Sequence, residues 1–351
     1  MSSIWTQSGT SLSLELTTLA QSCLTDESKN IYEQFLRDHP WISYLNARNR
    51  VTEDGGEIIL RHAKYRSGRT GEWFERNDTL HADFQETRVP FSTTWKNYAQ
   101  GIIIPLMDLI VAKNNSWGPA LDVIAEQTED AVAAMEEGLN AALLGDGTGH
   151  GNKVCMGLQG LVRRSPTSGA LFGLDSALWS FWRNASYNVG TYATADAATA
   201  SWLNYGFNGQ EDDLYSIAKT AISEGSMKPD LLLSGPTLQM YYGHQVLNNF
   251  VQVSRTDADI GRMAVILDGM TWVTDKMLED LQIHPAGNLY MLNSKTLELV
   301  VSNEWNMKNT GFKDLTANQR LAMICFILFR CNFIITQPMF NAVIHGYTAE
   351  L

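Results

Sequence analysis

"AALLGDGTGHGNKVCMGLQGLV", residues 141–162, places glycine at four of the seven positions from Gly145 to Gly151. Two structures compete for such a stretch: a loop that cradles a phosphate, and a helix end followed by a join between packed parts. The order of the neighbouring elements separates them. A phosphate loop follows a strand and opens a helix, so that the helix N-terminus faces the anion. Here the preceding segment, "SWGPALDVIAEQTEDAVAAMEEGLNAALLG", 116–145, reads as a helix. Leu121, Ile124, Thr128, Ala131, Met135, Leu139 and Ala142 recur in steps of three and four and form one stripe. Pro119 near the start and Gly145 at the end fit the usual asymmetry of helix termini. The glycines therefore lie at the negative end of the dipole, which repels phosphate, and the segment contains no G-K-[ST]. They read as a C-cap and a hinge.

A helix over about 118–144 would be ~40 Å long at ~1.5 Å per residue, whereas helices in globular proteins average about 12 residues. Its other faces carry Asp122, Glu126, Glu129, Asp130, Glu136 and Glu137, with no Lys or Arg at all. Such a face is either solvated or receives a basic partner. The chain itself carries one. "EIILRHAKYRSGRTGEWFER", 57–76, reads as two strands around a turn at "SGRTG". Between 58 and 71 it holds Arg61, Lys64, Arg66 and Arg69 and no acidic residue. An isolated two-stranded ribbon is marginal in water, so this one must lie on its own body or on a neighbouring subunit. A nucleic-acid patch would need interleaved aromatics, and only Tyr65 offers one there.

The rest of the chain alternates helix and strand patterns. "TDESKNIYEQFLRDHP", 25–40, reads as a short helix capped by Thr25 and stopped by Pro40. "TRVPFSTTW", 87–95, and "GIIIPLMDLIV", 101–111, read as extended or mixed structure. "EDDLYSIAKTAISEGS", 211–226, is amphipathic with helical period, and "KPDLLLSGPTLQMYY", 228–242, reads as a buried strand, a turn at Ser234-Gly235 and a second helix from Pro236. "GRMAVILDGMTWVTD", 261–275, places two short strands around Asp268-Gly269. The closing segments, "GNLYMLNSKTLELVV" and the apolar run from 321, are β-branched and aromatic and read as strands. The class is α+β.

Several functions are excluded or left without support. A net charge of -12 argues against coating nucleic acid through phosphate contacts. Cys23, Cys155, Cys325 and Cys331 form no C-x-x-C pair and read as reduced, buried thiols. The N-terminus lacks the basic and apolar regions of a secretory signal, and the run at 321–335 is too short to span a membrane and is broken by Arg330 and Asn332. No H-E-x-x-H, G-x-S-x-G or Walker A motif occurs, and the seven histidines are dispersed. His150 near Cys155 falls short of a zinc site, and the acids at 211–213 read as helix-dipole partners. No catalytic residue, cofactor or metal is expected.

The order of these pieces resembles the major capsid proteins of tailed bacteriophages, with the fold first seen in phage HK97. The long helix, its glycine turn and "MGLQGLV" look like the family's spine helix leading into its axial domain. "LWSFWRNAS", 178–186, the Pro-Asp strand with its Ser turn and helix in 228–242, "ILDGMTWVTDKML", 266–278, and the Leu292-Asn293 pair in 287–301 are similar to further family segments. The resemblance implies an N-arm at 1–50, an extended β-hairpin loop at 51–86, a peripheral domain at 87–154 with 290–351, and an axial domain at 155–289. It also implies a protein that self-assembles as hexamers and pentamers into an icosahedral shell around double-stranded DNA held without sequence specificity. Arg61, Lys64, Arg66 and Arg69 would then meet an acidic surface such as Asp122, Glu126, Glu129 and Asp130 of another copy. About fifty residues precede the loop, where the founding member has a long scaffolding segment, so a separate scaffolding protein is expected. A portal protein and a decoration protein are further implied partners, with assembly in the host cytoplasm and residence in the virion. An encapsulin-type bacterial compartment shares the fold and is the nearest alternative. A soluble nucleotide-dependent enzyme rests only on the glycine stretch.

Overall fold

The computed structural model describes residues 40–65, 73–76, 78–79, 86–105, 117–188, 214–240, 265–267, 269–279, 288–315 and 322–346, apart from the side chains of 117–124 and 265. The predicted helix at 25–40 lies outside these residues up to its last position. Pro40 is the first residue of the helix Pro40–Ala47. A proline at the first helical position gives up only an N–H that would have no partner anyway.

The chain divides into two compact units. The first comprises 1–55, 96–157 and 299–332. Its centre is the helix Trp117–Leu144, 28 residues long. Thr128, Ala131, Met135 and Leu139 of the expected stripe are buried, joined by Val132, Leu143 and Leu144. The helix packs on the strand Lys96–Pro105 and approaches it closely. A Cβ at Gly138 would strike the hydroxyl of Tyr98. Trp41 donates its indole N–H to Asn140 Oδ1 at 3.0 Å inside the same core. The strand Ala322–Ile335 runs antiparallel to Lys96–Pro105 from Ala322↔Pro105 to Cys331↔Lys96. The short strands Lys308–Asn309 and Lys313–Asp314 also pair with it. Val51–Asp54 lies parallel to the neighbouring strand, with Val51 opposite Leu299.

Glu136 departs from the expected acidic face: it is 9% exposed and belongs to the core side of the helix. The glycine stretch departs in a different way. Gly145 continues the last helical turn, its N–H donating to Ala141 O at 3.0 Å. The left-handed backbone begins two residues later, at Gly147 with φ 79°. Gly157 is required by space: a Cβ there would collide with the carbonyl oxygens of Ala142 and Gly145. The chain thus folds back across the helix end, whose last carbonyls have no partner within the helix.

The second unit comprises 56–95, 158–298 and 333–351. Its six-stranded sheet has the order Ala185–Asn188, Ala342–His345, Leu289–Leu292, Leu231–Ser234, Met270–Thr274, Val265–Leu267. Leu231–Ser234, with both faces covered, is wholly buried. The helix Leu214–Ile222 lays Leu214, Tyr215, Ala218 and Ile222 on a core shared with Trp272, Met291 and Ile344. Residues 236–240 are helical, as the Pro236 signal suggests. Gly269, at φ 83°, makes the turn between two antiparallel strands.

The short polar motifs act as fasteners here. Asp230 accepts hydrogen bonds from the Ser294 N–H and hydroxyl. Asn341 Oδ1 accepts the Asn293 N–H at 2.9 Å. In the tryptophan segment, Trp182 is fully buried and donates to Leu171 O, while Asn184 both accepts from and donates to the Arg163 backbone.

Candidate assembly surface

The basic segment forms half of a ribbon in the second unit. Its partner strand is Arg88–Thr94, with antiparallel register from Ile58↔Thr94 to Lys64↔Arg88. The predicted turn at 67–71 lies outside the described residues, and 73–76 carry no strand. Pro90 obscures the second strand in the sequence, because it cannot donate to a ladder and is tolerated only at an edge.

Period two gives the ribbon two different faces. The inner face places Ile59, Ala63 and Phe91 at 1%, 0% and 3% exposure. Phe91 packs on Phe172 and Trp182, with ring centroids 5.6 and 5.1 Å away. Tyr65, just past the strand, meets Phe181 at 5.5 Å and Trp179 at 6.1 Å. Its hydroxyl donates to Glu86 O at 2.7 Å and closes the far end of the ladder. The root of the ribbon therefore lies on its own body, one of the two options left open by the sequence.

The outer face is exposed at every rung. It presents Ile58, Leu60, His62 and Lys64 from one strand and Arg88, Pro90, Ser92 and Thr94 from the other. Ile58 is 54% and Leu60 57% exposed, and further along the connection Trp73 is fully exposed. Neighbouring large apolar side chains in water make this face the candidate assembly surface.

The charged candidates separate. Arg61 points inward and forms a two-pronged ion pair with Glu298, Nη2 to Oε1 at 2.8 Å and Nε to Oε2 at 3.3 Å. Lys64 is exposed and stands directly opposite Arg88, a second outward cation that the sequence pattern did not single out. Among the described residues neither has a carboxylate partner. Arg66 and Arg69 lie outside the described residues. On the long helix Glu126, Glu129 and Asp130 are exposed, and Asp122 lies within the helix with its side chain outside the described residues. Glu298 is the missed partner. Its distance of 237 positions from Arg61 leaves no local signal.

Among the described residues, no group of three or more His, Cys, Asp or Glu could hold a metal. No described helix is long and apolar enough to cross a membrane.

Neither a protein-family model nor a curated protein matches the sequence. Solved structures do match. The capsid asymmetric unit of cyanophage A-1(L) aligns with a TM-score of 0.54 and 16% identity, over 86% of this chain and 91% of that one. The chain has the HK97-like capsid fold. The capsid of the native GTA particle aligns at TM-score 0.52 and 10% identity, over 87% of this chain and 90% of that one. The SrpI encapsulin of Synechococcus elongatus PCC 7942 aligns at 0.51 and 10%, over 86% of each. At such identities the likeness is one of fold.

Proposed function

We propose that this chain is a structural major capsid protein that self-assembles as hexamers and pentamers into an icosahedral shell enclosing phage double-stranded DNA, without catalytic turnover. The observation that carries the reading is the exposed outer face of the ribbon in a chain with a capsid fold. A single chain leaves Ile58, Leu60 and Trp73 in water, and a second copy can cover them. In this reading residues 1–50 are the N-arm, 51–86 the extended loop, 87–154 with 290–351 the peripheral domain, and 155–289 the axial domain. Lys64, Arg66 and Arg69 meet acids of a neighbouring copy, Asp122, Glu126, Glu129 and Asp130 among them, while Arg61 is engaged by Glu298 of its own chain. The net charge of -12 suits a wall along which packaged DNA slides. A separate scaffolding protein, a portal and a decoration protein complete the set of partners. Assembly takes place in the host cytoplasm and the product is the virion head.

The encapsulin alignment supports a second reading, a bacterial compartment that loads enzymes in place of a genome. Electron microscopy of the protein expressed alone and with its neighbouring genes tests both. Closed hollow particles are expected. A requirement for a co-expressed scaffold favours the phage head, and particles that fill with an enzyme favour the compartment. A stable, dispersed monomer under both conditions overturns shell formation altogether.

A further inference from the structure

Cys155 and Cys331 are separated by about half of the chain, yet both are buried in the first unit, at 5% and 3% exposure. The rung Cys331↔Lys96 is the last between the strands Ala322–Ile335 and Lys96–Pro105. Just beyond it the segment after the glycine turn reaches this strand through one side chain. The Met156 N–H donates to Asn332 Oδ1 at 3.2 Å, and the Cys155 and Cys331 side chains are within hydrogen-bonding reach of each other. The neighbouring backbone is held in place: Lys96 Nζ donates to Asn152 O, and Gly157 has no room even for a Cβ against the helix end.

We propose that Cys155 and Cys331 are a disulfide-forming pair that can fasten the segment after the long helix to the strand Ala322–Ile335. Oxidation breaks two S–H bonds and forms one S–S bond. The two electrons and two protons pass to an oxidant of the azo or disulfide class. With diamide the N=N bond is reduced to the hydrazine; with a small disulfide two thiols are released. A reducing cytoplasm keeps the pair as thiols, and oxidising surroundings close it. The hydrogen bond with Cys155, reinforced by burial, pushes the Cys331 thiol well above its ordinary value, so closure is slow at neutral pH. Cys325 is also buried, but its thiol is directed at Phe326 O, which leaves it outside the pair.

The test treats the folded full-length protein with diamide, denatures it in an alkylating agent, counts free thiols and maps peptides without reduction. Free thiols are expected to fall from the four of the sequence to two, with one peptide pair joining Cys155 to Cys331 that separates on reduction. Cys331→Ser should retain three free thiols and yield no such pair. If that variant misfolds, the wild-type peptide map decides alone. Four thiols remaining free, or a link to Cys23 or Cys325 instead, overturns the proposal. The outcome does not depend on shell formation.

Discussion

The long helix and the ribbon treat their apolar residues in opposite ways. Along the described part of the helix Thr128, Ala131, Met135 and Leu139 of the stripe are buried within the chain, Met135 and Leu139 at 0% and 1% exposure. On the ribbon only one face is closed. Ile59 and Ala63 are buried, while Ile58 and Leu60, their immediate neighbours, stand more than half in water. A helix offers one broad apolar stripe that a single layer can cover, whereas a strand offers two faces and a two-stranded ribbon has only one body to lie on. The difference separates side chains that hold the fold from side chains available for assembly.

Substitutions put that contrast to the test, beginning with the helix. Leu139→Ala should cost about 2–5 kcal/mol, the usual loss for a fully buried leucine, and appear as a large fall in the urea midpoint. Gly157→Ala should cost on the order of 1–3 kcal/mol, because the added methyl meets helix carbonyls that cannot move aside. A smaller effect is expected where the ribbon is tied down. A double-mutant cycle on Arg61→Ala and Glu298→Ala should return a coupling of about 0.2–1 kcal/mol, since both side chains keep partial access to water, at 25% and 18%.

His345, far from both regions in sequence, gives a pH test. Burial, with Arg164 nearby, pushes its imidazole below the ordinary value. The unfolded chain therefore binds the proton more readily, so stability should decline as pH drops below about 6.5, and His345→Gln should flatten that part of the curve. The smallest effect on stability belongs to the ribbon's outer face. Leu60→Ser should leave the unfolding free energy of dissociated subunits within about 0.5 kcal/mol of wild type, yet particle yield by sedimentation should collapse. Normal particle yield from Leu60→Ser would remove the contrast.

The parts legible in the sequence are those governed by local periodicity. The long helix emerges within a residue of its expected start, because a three-and-four pattern sustained over many turns has no competing reading. The strand Ala322–Ile335 is legible from its β-branched and aromatic content. Partners distant in sequence are not. The return strand of the ribbon is hidden by Pro90 and by the long connection before it. Glu298 gives no local sign that it receives Arg61, and nothing around Glu136 sets it apart from Glu137 except which side of the helix faces the sheet. Val51–Asp54 pairs in parallel with residues 299–302, a match that only the folded chain can make. Of the charged candidates, the sequence locates the exposed acids of the helix and Lys64, but not Arg88, which lies beyond the apparent end of the basic segment.

The ribbon's alternation has a consequence for how such a surface can change. Ile58, Leu60, His62 and Lys64 can be exchanged one by one, altering what the ribbon meets, without disturbing the anchors Ile59, Arg61 and Ala63 between them. A length change is a different matter. One residue inserted between Gly56 and Ile58 while the pairing with Arg88–Thr94 adjusts would turn anchors outward and contact residues inward. This stretch should therefore tolerate wide drift in identity and almost none in spacing.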